Sequence, residues 1–439
     1  MNIAQRLNRY KEAIADADFS IRKGRVSDCH GLVVESIGPM AYIGETCEIL
    51  PQSDQPPVHA EVVGLRGGKV LLMPYGDLSG VGAGSEVIAH GSASGIGVGE
   101  SLLGRVIDAF GNPIDGKGPV KVSDTYPTHA KPINPLSRQP IRQPLETGIR
   151  AIDALLTLGR GQRVGIFSGS GVGKSTLLGM IARNTDSDLN VIALIGERGK
   201  EVPEFIQKNL GPAGLKKSVV VAATSDQPAL VRTRAAFSAT AIAEYFRDCG
   251  KHVTLIMDSV TRFAMAQREI GLAVGEPPTA RGYTPSVFNL LPKLLERCGT
   301  SNSGGSITAL YTVLVEGDDM NDIMADTLRS ILDGHIVLSR ELAHHGQYPA
   351  IDLLASISRS LPDLVSQEQQ QVIQRVISLL GAYQRSRDIV ELGAYKSGTN
   401  SELDQAIQLR PKLLEYLRQK MHEITSREQA VSRLKALVS

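Results

Sequence analysis

The segment GIFSGSGVGKSTLL constrains the fold of this 439-residue chain more than any other. An apolar run, Val164–Phe167, leads into a glycine-rich turn and then into a helical pattern that begins near Lys174. Glycine lets backbone N–H groups converge on phosphate oxygens because no Cβ stands in the way. The N-terminus of the following helix adds partial positive charge. The segment therefore predicts a phosphate-binding loop between a strand and a helix of an α/β domain.

The loop follows the nucleotide-binding pattern G-x-x-x-x-G-K-[ST], except that Ser168 stands where the pattern has its first glycine. We expect Lys174 to reach the β- and γ-phosphates of ATP and the Ser175 hydroxyl to bind Mg²⁺. A glycine-rich turn of purely structural use is the alternative, and the strand–loop–helix context favours the phosphate loop. The residues expected to bind the nucleotide are Gly169, Ser170, Gly171, Val172, Gly173, Lys174, Ser175 and Thr176.

Two carboxylates follow apolar strand patterns further along the chain. Asp258 ends the run HVTLIMD, where the Mg²⁺-binding acid of a P-loop ATPase belongs. Glu197 follows NVIALIG, and hydrolysis needs a carboxylate to orient and polarise the attacking water. A helix cap remains an alternative for Asp258, and a surface salt-bridge cluster with Arg198 and Glu201 remains one for Glu197.

Two more residues are candidates from residue type alone. Arg359 follows the run AIDLLASIS, and an arginine directed at a neighbour's γ-phosphate would neutralise charge that grows in the transition state. Tyr348 could stack on adenine. A solvated arginine, and a tyrosine that merely packs beside Pro349, are the open alternatives.

Strand and helix patterns alternate from residue 149 to 360, which predicts an α/β domain with a parallel sheet. After residue 360 the pattern is helical, with Leu413, Leu417, Met421 and Ile424 on one face, and a helical C-terminal domain over 361–439 is expected. The predicted strands are Arg163–Phe167, Asn190–Ile195, Ser218–Ala223, His252–Met257 and Ser306–Leu314.

The N-terminal quarter has a different pattern. Short β-like runs with glycine turns over residues 24–95 predict a small barrel or sandwich. The proline- and glycine-rich stretch 96–148 is interpreted as an ordered linker. Residues 1–23 have apolar residues at helical spacing, and this amphipathic helix could pack on its own domain or dock to a partner.

Composition argues against several function classes. The chain has 47 basic and 46 acidic residues, so its charge gives no reason to expect nucleic acid or an anionic membrane as the main partner. No apolar run approaches the ~18 residues of a membrane span. The N-terminus carries acids, unlike a secretory signal, and the four cysteines form no C-x-x-C pair. A cytoplasmic protein is expected.

Several long motifs resemble the rotary-type ATPase family. They are LLGRVIDAFGNPIDGKGP, GSGVGKST, GERGKEV, IMDSVTRFAMAQREIG and SILDGHIVLSRELA. Within that family the chain is most similar to the ATPases of type III protein export. The resemblance implies a β-barrel domain, a RecA-like ATPase domain and a helical C-terminal domain. It also implies homo-hexameric rings that hydrolyse Mg-ATP at the cytoplasmic face of the membrane.

The same resemblance implies roles for individual residues. Glu197 polarises water beside Arg198, and Glu201 helps organise the metal site with the Asp258 carboxylate. Arg262 is a phosphate-side arginine. The resemblance also implies that Tyr348 lies against the adenine and that Arg359 acts across a subunit boundary. Expected partners are a stator-like protein at the N-terminal helix, the export gate, export substrates and their chaperones.

Alternatives within related rings are weighed by motif. An ATP synthase catalytic subunit is expected to carry Asp-Glu-Leu-Ser-Glu-Glu-Asp in its helical domain, and this chain does not. Non-catalytic ring subunits generally lack the glutamate found here at 197. A Rho-like RNA translocase needs a basic and aromatic face, but the chain has no tryptophan. GAYKSGTNSELDQAI favours flagellar over virulence-associated export.

Overall fold

A computed structural model describes residues 21–320 and 322–438. It divides into two compact units, Met1–Ser94 and Gly95–Ser439. The amphipathic helix expected over residues 1–23 falls mainly on residues 1–20, which lie outside the described residues. The first described strand already begins at Arg22.

The first unit is a closed barrel with the strand order β1-β2-β5-β4-β3-β6. Inward-facing side chains such as Val34, Cys47 and Leu72 are fully buried and fill its interior. Closure pairs every strand on both sides, so that no strand edge is left open. The strands are β1 (Arg22–His30), β2 (Val33–Ile37), β3 (Glu45–Ile49), β4 (Val58–Arg66), β5 (Lys69–Pro74) and β6 (Glu86–Ala93).

The second unit is built on a nine-stranded sheet. Its strands and those of two small pairs are β7 (Gly95–Val98), β8 (Val106–Ile107), β9 (Asp124–Pro127), β10 (Pro144–Leu145), β11 (Leu158–Gly159), β12 (Arg163–Ser168), β13 (Leu189–Ile195), β14 (Ser218–Ala223), β15 (His252–Asp258), β16 (Gly299–Thr300), β17 (Ser306–Leu314), β18 (Gly334–Leu338) and β19 (Ile351–Ser358). The sheet order is β19-β18-β12-β17-β15-β13-β14-β8, with β16 paired to β17. Within 96–148, expected as a linker, β8 adds to the edge of this sheet.

Helices cover the sheet and form the C-terminal part of the chain. None of the described helices is long and apolar enough to cross a membrane. The helices are α1 (Arg150–Leu155), α2 (Lys174–Asn184), α3 (Glu201–Glu204), α4 (Gly211–Lys216), α5 (Ala229–Asp248), α6 (Val260–Ala273), α7 (Pro285–Leu295), α8 (Ile323–Ile331), α9 (Arg340–His344), α10 (Leu361–Leu364), α11 (Gln367–Glu391), α12 (Ser401–Leu417) and α13 (Arg427–Val438).

The five strands predicted from the sequence are present, each within a residue of its expected ends. They are parallel to one another, and every residue of β13 and β14 is buried. Burial on both faces explains why these strands are continuous apolar runs rather than alternating ones. The expected barrel, nucleotide-binding core and helical C-terminal region are thereby confirmed.

The helix face predicted through Met421 and Ile424 is wrong. Helix α12 ends at Leu417, and the chain has no helix or strand between there and Arg427. Ile424 is exposed rather than packed on a helical face. Buried polar side chains from the core hold this segment in an irregular course, as described below.

Candidate active site

The phosphate loop connects β12 to α2. Gly171 and Gly173 have φ angles of 79° and 87°, in the left-handed region that glycine adopts without strain. A Cβ on Gly169 would clash with the Asp318 carboxylate, which is paired with Arg340 at 3.0 Å. The glycines therefore give the loop its shape and keep its backbone open at the N-terminus of α2.

Parallel strands place the predicted carboxylates beside this loop. Strands β12, β13 and β15 end at the same edge of the sheet, because all three are parallel members of it. Asp258 is the last residue of β15, and Glu197 follows β13. They line one cavity of about 730 Å³ with the predicted residues Gly169, Ser170, Gly171, Gly173, Lys174, Ser175, Thr176, Arg198, Glu201 and Arg262.

Lys174 is the central cation of the cavity. Its Nζ lies 2.6 Å from Asp258 Oδ1 and 3.6 Å from Glu197 Oε1. Burial opposes the charged form, but the two carboxylates outweigh it and raise the pKa of Lys174. The lysine is therefore charged at the base of the cavity, with its ammonium held by acidic side chains.

Glu197 is poised between two protonation states. Burial, together with the nearby Asp258 carboxylate, raises the pKa of Glu197 to about 7. The positive charge of Lys174 lowers the pKa of Glu197 only partly, because the ammonium lies closer to Asp258 than to Glu197. Glu197 Oε1 is buried, and no donor among the described residues hydrogen-bonds to it. A carboxylate with a pKa near neutrality, whose buried oxygen has an ion pair with Lys174 at 3.6 Å but accepts no hydrogen bond from the described part of the chain, has the properties of a general base.

Oxygen donors that suit Mg²⁺ lie around the same cavity. The Ser175 hydroxyl is in the first turn of α2, and the carboxylates of Asp258 and Glu201 also line the space. Mg²⁺ usually binds through one or two carboxylates together with substrate phosphates. Accordingly, no cluster of three or more acidic, histidine or cysteine side chains that could hold a metal alone is found among the described residues.

The two predicted arginines of the cavity differ in setting. The Arg198 side chain is three-quarters exposed at the rim of the cavity, and its Nε lies 3.9 Å from Glu201 Oε1. Arg262 packs over Gly196, so that a Cβ on that glycine would lie 2.9 Å from Arg262 Cβ. The Arg262 Nε is buried, and among the described residues it has no hydrogen-bond partner. An arginine with an unpaired inner donor can bind an incoming anion.

Tyr348 lies beside the loop at a second cavity of about 490 Å³. A Cβ on Gly173 would lie 3.3 Å from the Tyr348 ring, so the ring lies against the loop backbone. The cavity is mainly apolar where Leu177, Met180 and Pro349 line it. The predicted base-binding tyrosine and the phosphate loop are thus neighbours. Val172, which was also predicted to contact the nucleotide, is buried under the loop.

Arg359 lies away from this chain's own cavity. The amino end of β19 pairs with the carboxyl end of β18, which lies beside the start of the phosphate loop. The carboxyl end of β19, with Arg359 directly after it, is therefore at the opposite edge of the sheet. Its exposed guanidinium donates a hydrogen bond to the Arg329 carbonyl at 3.2 Å.

Sequence reasoning missed some residues of the site. The Thr312 hydroxyl donates to Asp258 Oδ1 at 2.6 Å and orients that carboxylate. A hydroxyl near the carboxyl end of a buried strand was the available signal. Residues 418–421 line the cavity at Tyr348, and no local motif marks them.

Three family models match the chain. The beta-barrel domain model of the ATP synthase alpha/beta family matches residues 26–91, and its nucleotide-binding domain model matches residues 148–358. The model of the T3SS EscN ATPase C-terminal domain matches residues 365–436. This last match covers the helices that follow the core, and its model describes type III secretion ATPases.

Two relatives are similar over nearly the whole chain. The flagellum-specific ATP synthase of Bacillus subtilis is 53% identical over 97% of this chain and 97% of its own length. The type 3 secretion system ATPase of Xanthomonas euvesicatoria is 48% identical over 94% of this chain and 93% of its own length. Both identities are far above what a shared fold alone requires.

A solved structure agrees with the fold. The assembled ATPase EscN in complex with its central stalk EscO, from the type III secretion system of enteropathogenic E. coli, superposes with a TM-score of 0.87. It is 44% identical, and the match covers 95% of this chain and 100% of that chain. The chain therefore belongs to the ATP synthase alpha/beta family, in the group of flagellar and type III secretion ATPases, and is an ATPase.

Proposed function

We propose that this ATPase hydrolyses Mg-ATP to drive type III protein export for flagellar assembly. The observation that carries the proposal is the charge arrangement in the main cavity. A phosphate-loop lysine contacts both a metal-binding acid and a glutamate with a pKa near neutrality. Phosphate binding, metal binding and water activation thus have separate side chains within one cavity.

The role of each side chain follows from its position. Lys174 leaves Asp258 when phosphate enters and donates to the β- and γ-phosphate oxygens. Glu197, in its ionised form, accepts a hydrogen bond from the attacking water and holds it in line with the γ-phosphate. Arg262 donates to the phosphates from the inner wall, and Arg198 adds positive charge at the rim.

Ser175 and Asp258 would hold Mg²⁺ together with the phosphate oxygens of ATP. The ion, when bound, supplies neutralisation of the charge that develops on the phosphates. The Glu201 carboxylate helps to raise the pKa of Glu197 and lines the acidic side of the cavity. Tyr348 stacks on the adenine from beside the loop.

Arg359 acts on the site of a neighbouring subunit in this proposal. Its exposure, and its place at the opposite edge of the sheet from its own phosphate loop, support action in trans. A ring of identical subunits brings such an edge to the next subunit's site through a head-to-tail interface. The assembled form of EscN supports a ring here, and we propose a homo-hexamer.

The proposed partners follow from the export role. The central stalk bound to EscN supports a corresponding stalk for this chain. A stator-like regulator would bind the N-terminal residues, and the ring would release substrates from chaperones, unfold them and deliver them to the export gate. It would do so from the cytoplasm, peripheral to the inner face of the membrane. No nucleic-acid partner is proposed.

The flagellar role is favoured over the virulence-associated one by the motif GAYKSGTNSELDQAI and by the 53% identity to the flagellum-specific ATP synthase of Bacillus subtilis. The test is a deletion strain of the source bacterium that carries either the wild-type chain or Lys174→Ala. We expect the wild type to restore swimming in soft agar and the variant to fail, because it cannot bind the phosphates. Normal swimming of the deletion strain would contradict the flagellar role while leaving the ATPase assignment intact.

A further inference from the structure

The irregular segment between α12 and α13 is held to the core by a buried glutamine. Gln419 is 3% exposed, and both of its amide atoms are hydrogen-bonded. Its Oε1 accepts from the backbone N–H of Arg150 at 2.9 Å, and its Nε2 donates to the Gly148 carbonyl at 2.7 Å and to the Glu423 carbonyl at 2.8 Å. The amide therefore ties the segment to the start of α1.

A buried arginine adds a second set of contacts. Arg150 is 6% exposed, and its guanidinium donates to the carbonyls of Tyr416 at 2.8 Å and Arg418 at 2.5 Å. It also pairs with the Glu423 carboxylate. Burying an arginine is costly unless its donors are paired. Its carbonyl partners precede Gln419 and its carboxylate partner, Glu423, follows it, so together they restrict the segment to one course.

The segment fixed in this way is one wall of the cavity at Tyr348. Residues 418–421 line that cavity, and the Gln419 N–H donates to the Tyr348 carbonyl at 2.8 Å. Arg183 of α2 donates to the Met421 carbonyl at 2.6 Å. The wall is thus linked both to the tyrosine and to the helix that follows the phosphate loop.

We propose that Gln419 and Arg150 are positioning residues for the nucleotide base. They hold residues 418–421 against Tyr348 and so set the shape of the cavity that receives the base. This inference rests on the proposed function, in which that cavity holds adenine. Neither side chain hydrogen-bonds to the phosphate loop, so the proposal concerns recognition of the base and not of the phosphates.

Gln419→Met and Arg150→Lys test the proposal, with Gln429→Met as a matched control on the exposed face of α13. Methionine keeps the length of glutamine but removes its three hydrogen bonds, and lysine keeps the charge of Arg150 without its forked donors. KM and kcat are measured with Mg-ATP, and Ki is measured for inorganic tripolyphosphate, which has no base.

We expect KM for ATP to rise roughly tenfold in both variants, because a loosened wall no longer fits the base. Both kcat and the Ki of tripolyphosphate should stay within about twofold of the wild-type values, and Gln429→Met should match the wild type. An unchanged KM, or an equal loss of tripolyphosphate binding, would overturn the proposal. Failure of the proposed function would appear separately, as an absence of ATP turnover by the wild type.

Hydrogen exchange of the unmodified protein gives an answer that does not depend on whether the variants fold. ADP should slow exchange of the backbone amides of residues 418–421, and pyrophosphate should not, because only ADP carries a base. Equal protection by the two ligands, or no protection by ADP, would count against this wall as part of the base site.

Discussion

Charge balance at the phosphate loop is decided by three side chains. Lys174 lies 2.6 Å from Asp258 and 3.6 Å from Glu197, so the lysine compensates Asp258 more fully. The charged form of Glu197 remains disfavoured by burial, and this raises the pKa of Glu197 to about 7. One carboxylate is thereby suited to holding a cation and the other to accepting a proton.

Glu197→Gln should retain nucleotide binding and lose turnover. The amide keeps the size of the side chain but cannot act as a base, and loss of a general base costs about 10²- to 10⁴-fold in rate. Nucleotide affinity is measured by fluorescence with a labelled ATP analogue, and turnover by phosphate release. Glu368→Gln, at an exposed position of α11 paired with Lys435, is the control. Full turnover by Glu197→Gln would refute the assigned role.

The activity should depend on pH through the same residue. The pKa of Glu197 is raised to about 7, so its ionised, active form is lost as the pH falls through that value. We expect kcat/KM, which reports the free enzyme, to fall on the acidic side of about pH 7 and to level off above it. A profile that is flat across this range would mean that Glu197 does not titrate in the step measured.

The protonated form of Glu197 is also the one that the fold favours. Because its pKa in the folded protein exceeds the ordinary 4.5, its contribution to stability is fully present below about pH 4.5 and is lost as the pH rises to about 7. Catalysis therefore requires the ionised form of Glu197, which is present at higher pH, whereas the free energy of unfolding is greater at lower pH, where Glu197 is protonated.

The elements that carry the site were predictable where local pattern decides structure. Strands β12, β13 and β15 are continuous apolar runs, and their parallel arrangement puts the residues after them at one edge. This is why Glu197 and Asp258 could be placed near the loop from sequence. Strand β19 could not be recognised in this way, since much of it is exposed.

The end of α12 at Leu417 depends on contacts that are distant in sequence. Arg150 and Gly148 bind the following segment from some 270 positions earlier in the chain. Helical periodicity continues through Met421, so a local pattern predicts a helix where buried hydrogen bonds impose another course. The part of the cavity at Tyr348 that residues 418–421 line was missed for the same reason.

Arg359 cannot act in the phosphate-loop cavity of its own chain, since it follows β19 at the opposite edge of the sheet. If the arginine completes a neighbour's site, each catalytic unit consists of two chains. In the ring proposed here, every subunit would then supply Glu197 to one interface and Arg359 to the next.

The most direct test is phosphate release by a mixture of two inactive variants, Glu197→Gln and Arg359→Ala. Each alone should be strongly impaired, but random mixing gives about one interface in four with both residues intact. We predict that activity appears on mixing, in proportion to those interfaces, and that two Glu197→Gln preparations mixed as a control stay inactive. Lack of recovery in mixtures shown by sizing to contain mixed oligomers would contradict a site shared between subunits.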